Sequence, residues 1–158
     1  MSKSLKRVRA ALEAAGTSAE IRETALARTA QDAADALGVA VDQIAKSIIL
    51  RGEHSGEALL FITAGGQQVD LERAAALAGE PLGKADAALI RAQTGFAIGG
   101  VSPVGHINPC RKWFDKTLLQ FDEIWAAAGT PHHVFGAKPQ EIAELSGAQV
   151  SDFTAKQK

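Results

Sequence analysis

Apolar positions recur along this chain at two spacings, and the changes of spacing mark its elements. Leu5, Val8, Ala11 and Leu12 lie three and four apart, which predicts an amphipathic helix over residues 4–15 stopped by Gly16. Residues 18–24 alternate around Ile21, as in a short strand. Thr29 opens a second helix, with Asp32 three residues on as a variant capping box and Gly38 at its end. A helical turn over 41–45 leads into Ile48-Ile49-Leu50, the centre of a buried strand over 47–51. A turn over 52–56 and an apolar run over 57–64 complete a hairpin. Asp70 and Asp86 then cap helices that end near Leu77, closed by Gly79, and near Gln93, with a bridging segment at 82–85. The C-terminal third reads as a strand at 116–121, a short helix at 122–128 ended by Gly129, and a strand at 132–136. A helix at 139–145 with Pro139 in its first turn and a strand at 148–153 follow, and the end from 154 reads as frayed. Helices and strands interleave irregularly and the first strand pair is antiparallel. The pattern predicts an α+β fold: a single domain over 1–158, with a mixed sheet inside a set of helices rather than a doubly wound parallel sheet.

One stretch fits neither spacing. Residues 94–106 carry four glycines and a proline among Phe96, Ile98, Val101 and Val104, side chains that favour burial. Within it, Gly99-Gly100-Val101-Ser102-Pro103 has the form Gly-x-x-x-Pro. Glycine admits dihedrals other residues resist, and proline fixes the exit and removes a donor. Such a segment is either a tight turn inside a sheet or a loop that aims backbone N–H groups at an acceptor.

Composition narrows the classes. The chain is 46% hydrophobic and 22% charged, the profile of an ordinary globule, and its 158 residues suffice for a real core. With a net charge of -1 it is no general polyanion binder, although Lys3, Lys6, Arg7 and Arg9, and later Arg111, Lys112 and Lys116, form local basic clusters. Cys110 is the only cysteine, so no intrachain disulfide forms, which suits a reducing cytosol. No signal peptide or bilayer-spanning run is evident, and no basic recognition helix follows a helix-turn-helix pattern, which argues against sequence-specific DNA binding.

Candidate chemistry is sparse. Lys46 stands at the entry to the apolar Ile48-Ile49-Leu50 run, either snorkelling to solvent or projecting into a cleft where its ammonium holds an oxygen. His106 and Cys110 flank Asn108-Pro109, and His132 and His133 are adjacent, so in a strand they point to opposite faces and at most one joins a given site. That arrangement argues against zinc, and Cys110 reads as a buried or half-buried thiol. There is no Gly-x-Ser-x-Gly, no His-Glu-x-x-His, no Walker sequence and no carboxylate pair that marks an acid–base dyad.

Three segments taken in order carry a resemblance: Thr29–Gly38, ending in Leu37-Gly38; Gln43-Ile44-Ala45-Lys46-Ser47-Ile48; and Gly99–Gly105 with its Gly-x-x-x-Pro. Together with Lys84-Ala85-Asp86 and the ending over 145–153, they resemble the YbaK/ProX aminoacyl-tRNA deacylases, free-standing relatives of the editing domain of bacterial prolyl-tRNA synthetase. The resemblance implies a partly barrel-like mixed sheet and hydrolysis of the ester joining a wrong, small amino acid to tRNA, typically proline tRNA. It implies that Lys46 positions the substrate through the terminal adenosine and the aminoacyl group. It also implies that the loop from Gly99 and Gly100 through Val101, Ser102 and Pro103 supplies amides to the scissile carbonyl or the water, and that a terminal ribose hydroxyl assists. Ser47 and one of His132 and His133 are the implied neighbours of the aminoacyl group, and Thr29 is implied to bind substrate. Ser47 stands where relatives carry Thr or Asn, and His132-His133 where some carry a pocket histidine and others Ser and Asp. No cofactor or metal is implied. The implied partners are aminoacyl-tRNA and, beside it, prolyl-tRNA synthetase or an elongation factor, all in the cytoplasm. The alternative is a non-catalytic module that binds tRNA or a synthetase.

Overall fold

The computed structural model describes residues 2–17 and 19–155, so the expected strand start at residue 18 and the expected fraying at 156–158 lie outside the described residues. The helices are α1 (Lys3–Ala14), α2 (Ala30–Leu37), α3 (Leu71–Ala78), α4 (Ala87–Thr94) and α5 (Pro139–Ser146); side-chain caps start the first four, and Pro139 opens the fifth. The side chain of Thr29 accepts from Asp32 N–H, that of Asp70 from Glu72 and Arg73 N–H, and that of Asp86 from Leu89 N–H. Gly38, Gly79, Gly95 and Gly147 end the last four helices in the left-handed conformation, where a side chain would be strained.

The strands are β1 (Ile21–Glu23), β2 (Ile44–Gly52), β3 (Ala58–Ala64), β4 (Leu82–Lys84), β5 (Lys112–Asp115), β6 (Ile124–Ala127), β7 (His133–Ala137) and β8 (Gln149–Ser151). They form one mixed sheet in the order β1-β7-β6-β2-β3-β5-β8, with β4 branching from β2. The hairpin β2–β3 is antiparallel, whereas β2–β6, β3–β5 and β5–β8 are parallel. All seven residues of β3 are buried, as a strand flanked on both edges and covered on both faces should be. Leu60 and Ile62 face a core shared with α1, α4, α5 and the loop side chains Phe96, Val101 and Val104. Leu59 and Phe61 face a second, where Phe61 stacks on Trp113 at 4.8 Å. A third cluster joins Ala34 of α2 to Ile44, Trp125 and Val134.

Three expected elements are corrected. Residues 116–121 are not a strand: Lys116–Gln120 is a 3₁₀ turn, capped where Asp115 accepts from Thr117 N–H at 2.9 Å. Residues 122–128 are not a helix: alanine propensity there yields to pairing, and Ile124–Ala127 lies parallel to β2 and antiparallel to β7. Strand β5 occupies a stretch to which the pattern assigns no element, and β2 begins at Ile44, leaving only Val41–Gln43 as a helical turn.

The feature that matters for function is a gap beside β2. Along one edge β2 pairs with β3 from Ala45 to Arg51. Along the other it pairs with β6 only at Ile44 and Ala45 and with β4 only from Leu50 to Gly52. Residues 46–49 are left with one uncovered edge.

Candidate functional site

That gap opens into a cleft of about 330 Å³, a size suited to a small ligand. Its walls are residues 44–49 of β2, Thr29, Ala30 and Ala33 at the start of α2, Trp125 and Ala126 of β6, His133 and Val134 of β7, and Ile98, Gly99 and Val101 of the glycine-rich loop. Lys46 and the loop, separated by some fifty residues of chain, thus face one hollow.

Lys46 is half-buried, and Nζ donates to Gly65 C=O at 3.1 Å. Burial pushes its ammonium below the ordinary lysine value, and the carboxylates of Asp42 and Asp115 work against that shift. Asp115 is itself buried and accepts from Ala64 N–H at 3.0 Å, so this countercharge is fixed in the sheet. A partly desolvated ammonium with one protein acceptor keeps donors for a substrate oxygen.

The loop presents its backbone through a turn. Gly100 N–H donates to Ala97 C=O at 3.1 Å, and Gly99, third in that turn, has φ +90°. The Gly100 amide is therefore consumed in closing the turn. The amides of Gly99 and Val101 make no hydrogen bond among the described residues, and both residues line the cleft. Gly100 is buried behind them, where an added Cβ would lie 2.9 Å from Gly129 O.

The loop is clamped from behind. Arg7 of α1 donates to Gly95 C=O at 2.7 Å and to Gly105 C=O at 3.2 Å, with its guanidinium 4.9 Å from the Phe96 ring centroid. His106 Nε2 lies 2.6 Å from Ser102 C=O, which can only accept, so Nε2 carries the proton. Nδ1 is then the acceptor facing Cys110 Sγ at 3.9 Å. Burial lowers the His106 pKa to about 4 and raises that of the Cys110 thiol, so the ring is neutral and the sulfur protonated near neutral pH.

Of the residues singled out in the sequence, Lys46, Ser47, Thr29, Gly99, Val101 and His133 line the cleft; Gly100, Ser102, Pro103 and His132 do not. His132 is exposed, while His133 Nδ1 is hydrogen-bonded to Thr130 Oγ1 at 2.7 Å. Ser102 and Pro103 are buried and shape the loop from within. The sequence reading missed Trp125, Ile98 and Arg28. Trp125 Nε1 and Ser47 Oγ are buried without a hydrogen-bond partner among the described residues, so the cleft wall contains two polar atoms that a ligand could satisfy. Trp125 was hidden by the reading of its segment as helix. Among the described residues no three His, Cys, Asp or Glu side chains gather as a metal site.

An α+β fold whose sheet gap opens into a small cleft, lined by Lys46 and by a glycine-rich loop with unbonded Gly99 and Val101 amides, defines a class of ligand-binding domain. Comparison with known proteins gives the class its family. Residues 24–145 match the aminoacyl-tRNA editing domain, and the chain belongs to that family. Its activity is accordingly aminoacyl-tRNA deacylation. The uncharacterised protein YwhH of Bacillus subtilis (strain 168) is 30% identical over 122 residues, covering 77% of each chain. EbsC of Enterococcus faecalis (strain ATCC 700802 / V583), named as a candidate Cys-tRNA(Pro)/Cys-tRNA(Cys) deacylase, is 27% identical over 82% of this chain and 79% of its own. A crystal structure described as that of a candidate trans-editing enzyme for prolyl-tRNA synthetase superposes with a TM-score of 0.91 at 44% identity, covering 99% of both chains.

Proposed function

We propose that this protein clears a small wrong amino acid from proline tRNA in trans, alongside prolyl-tRNA synthetase in the cytosol. The observation that carries this reading is the shared cleft: Lys46 and the loop residues Gly99 and Val101 line one small hollow. In this reading the loop amides bind the carbonyl oxygen as negative charge develops on it. Lys46 holds the ester and the terminal ribose in line, and a ribose hydroxyl helps a water attack. No side chain of the protein need act as general base. Preorganised donors of this kind contribute about 3 kcal/mol each to such steps, and positioning contributes several more. The aminoacyl end is bounded by the small side chains of Ala27, Ala30 and Ala33 with Val134 and His133, which supports a small amino acid. A pocket of that kind separates neighbouring side chains by only about 1–3 kcal/mol per methylene, so preference among alanine, serine and cysteine should be graded. The names given to EbsC and to the superposed crystal structure support proline tRNA as the carrier.

The test is deacylation of proline tRNA charged in turn with alanine, serine, cysteine and proline. Wild type should release the small wrong amino acids and spare proline, and Lys46→Ala should lose at least about 100-fold in kcat/KM. Lys46→Ala with wild-type turnover, or equal hydrolysis of all four, would overturn the assignment. Circular dichroism and thermal melting of the variant beside wild type separate lost chemistry from lost fold.

A further inference from the structure

Antiparallel neighbours exchange hydrogen bonds at every second residue, so a strand offers its N–H and C=O to each edge in alternation. Three contacts fix the alternation in β2. Gly52 N–H donates to Glu57 C=O at 2.9 Å, toward β3. Leu60, the partner of Ile49, turns its own N–H away to Arg111 C=O at 3.1 Å. Ala64, the partner of Ala45, turns its N–H away to Asp115 Oδ2 at 3.0 Å. The residues of β2 that bond β3 are thus Lys46, Ile48, Leu50 and Gly52. Ala45, Ser47, Ile49 and Arg51 present their backbone groups to the opposite edge. There β6 takes Ala45 and β4 takes Arg51. Ser47 and Ile49 fall in the gap, on the wall of the cleft.

On such an edge the C=O of one residue and the N–H of the second residue on stand side by side. Ser47 C=O and Ile49 N–H are therefore an acceptor next to a donor, with no strand opposite them among the described residues. Backbone groups inside a cleft seek a partner. The Ser47 hydroxyl, buried and without a partner, belongs to the same residue. Two apolar residues share the cleft with this edge: Ile90, buried, and Ile98, which is 63% exposed. An open acceptor–donor pair in a cleft that also carries an exposed isoleucine suits a flat, hydrogen-bonding ring.

We propose that this edge reads the adenine of the terminal adenosine of the tRNA. Ser47 C=O accepts from the N6 amino group, Ile49 N–H donates to N1, and Ile98 covers the ring. The order of groups selects the base. Adenine carries a donor beside an acceptor at this edge, as cytosine does, whereas guanine and uracil carry them reversed. Lys46 adjoins Ser47 in the chain, so a base held here leaves its ribose and ester near the ammonium. The inference deepens the deacylase reading above and rests on it.

The test uses mischarged proline tRNA minihelices whose terminal adenosine is replaced by purine riboside, which lacks the N6 amino group, by 1-deazaadenosine or by 7-deazaadenosine. The first two should lower kcat/KM about tenfold each, the worth of one hydrogen bond to a buried partner, and 7-deazaadenosine should change nothing. Ile98→Ser should raise KM severalfold and keep kcat, because the side chain is exposed and touches only the base. Equal rates on all analogues, or a loss confined to 7-deazaadenosine, would overturn the assignment of this edge. If the unmodified mischarged minihelix is not cleaved at all, the deacylase reading falls instead. The rank order of the uncharged analogues as ligands, read by fluorescence titration, then decides the edge by itself.

Discussion

His106 shows how a single side chain outside the cleft ties the stability of the fold to pH. Its Nε2 proton is committed to Ser102 C=O and its Nδ1 faces the Cys110 thiol, so a second proton has no acceptor to meet. Burial brings its pKa from 6.5 to about 4, a displacement worth about 3 kcal/mol. The sign follows from linkage. The unfolded chain takes up the proton first as pH falls below 6.5, so stability is whole above that value and lost progressively down to about 4. Glutamine at this position keeps an N–H for Ser102 and cannot titrate. The difference in melting temperature between wild type and His106→Gln should therefore shift by several degrees in favour of the variant between pH 7 and pH 4. A constant difference across that range would mean that the ring is not held neutral. Turnover at pH 7 should change little if the glutamine keeps the loop in place.

At the scale of elements, the glycine-rich loop makes the sharpest contrast. At Gly99 the backbone has φ +90° but an added Cβ meets nothing within 4 Å, so Gly99→Ala should cost about 1–2 kcal/mol of stability through conformation alone. At Gly100 the added Cβ would lie 2.9 Å from Gly129 O and from Thr130 Cα, both backbone atoms of the turn between β6 and β7. Gly100→Ala must push the loop off that turn and carry the Gly99 and Val101 amides with it. It should lower kcat by more than about tenfold, while Gly99→Ala keeps most of its rate. Single-turnover deacylation and chemical denaturation of the two variants check both halves. The same loop marks the limit of what the sequence reveals. Its glycine and proline spacing, and the lysine at the start of the hairpin, are local signals and could be read. So could the Thr and Asp caps, because a cap bonds its own chain three residues on. The strand character of Trp125-Ala126-Ala127 could not, because it comes from β2 and β7, far away in sequence. Nor could the gap at residues 46–49, which exists only because β6 and β4 stop short of each other.

Over the whole molecule, the difficulty is a polyanionic substrate on a chain with a net charge of -1. Affinity for nucleic acid scales with the phosphates neutralised, so a near-neutral globule must rely on a few cations placed at the site. Arg28 is the exposed one on the cleft wall, at the entrance to α2 beside Thr29. Its reach toward the phosphate that precedes the terminal adenosine would supply attraction common to ground state and transition state. Uniform binding of that kind moves KM and leaves kcat alone. Arg28→Ala should thus raise KM severalfold at low salt with kcat unchanged, and the plot of log KM against log salt should become shallower by about 0.7, one single-strand phosphate contact. Steady-state deacylation at a series of salt concentrations measures both. A fall in kcat at constant KM would instead bring the guanidinium to the reacting ester, and an unchanged salt slope would mean that Arg28 meets no phosphate.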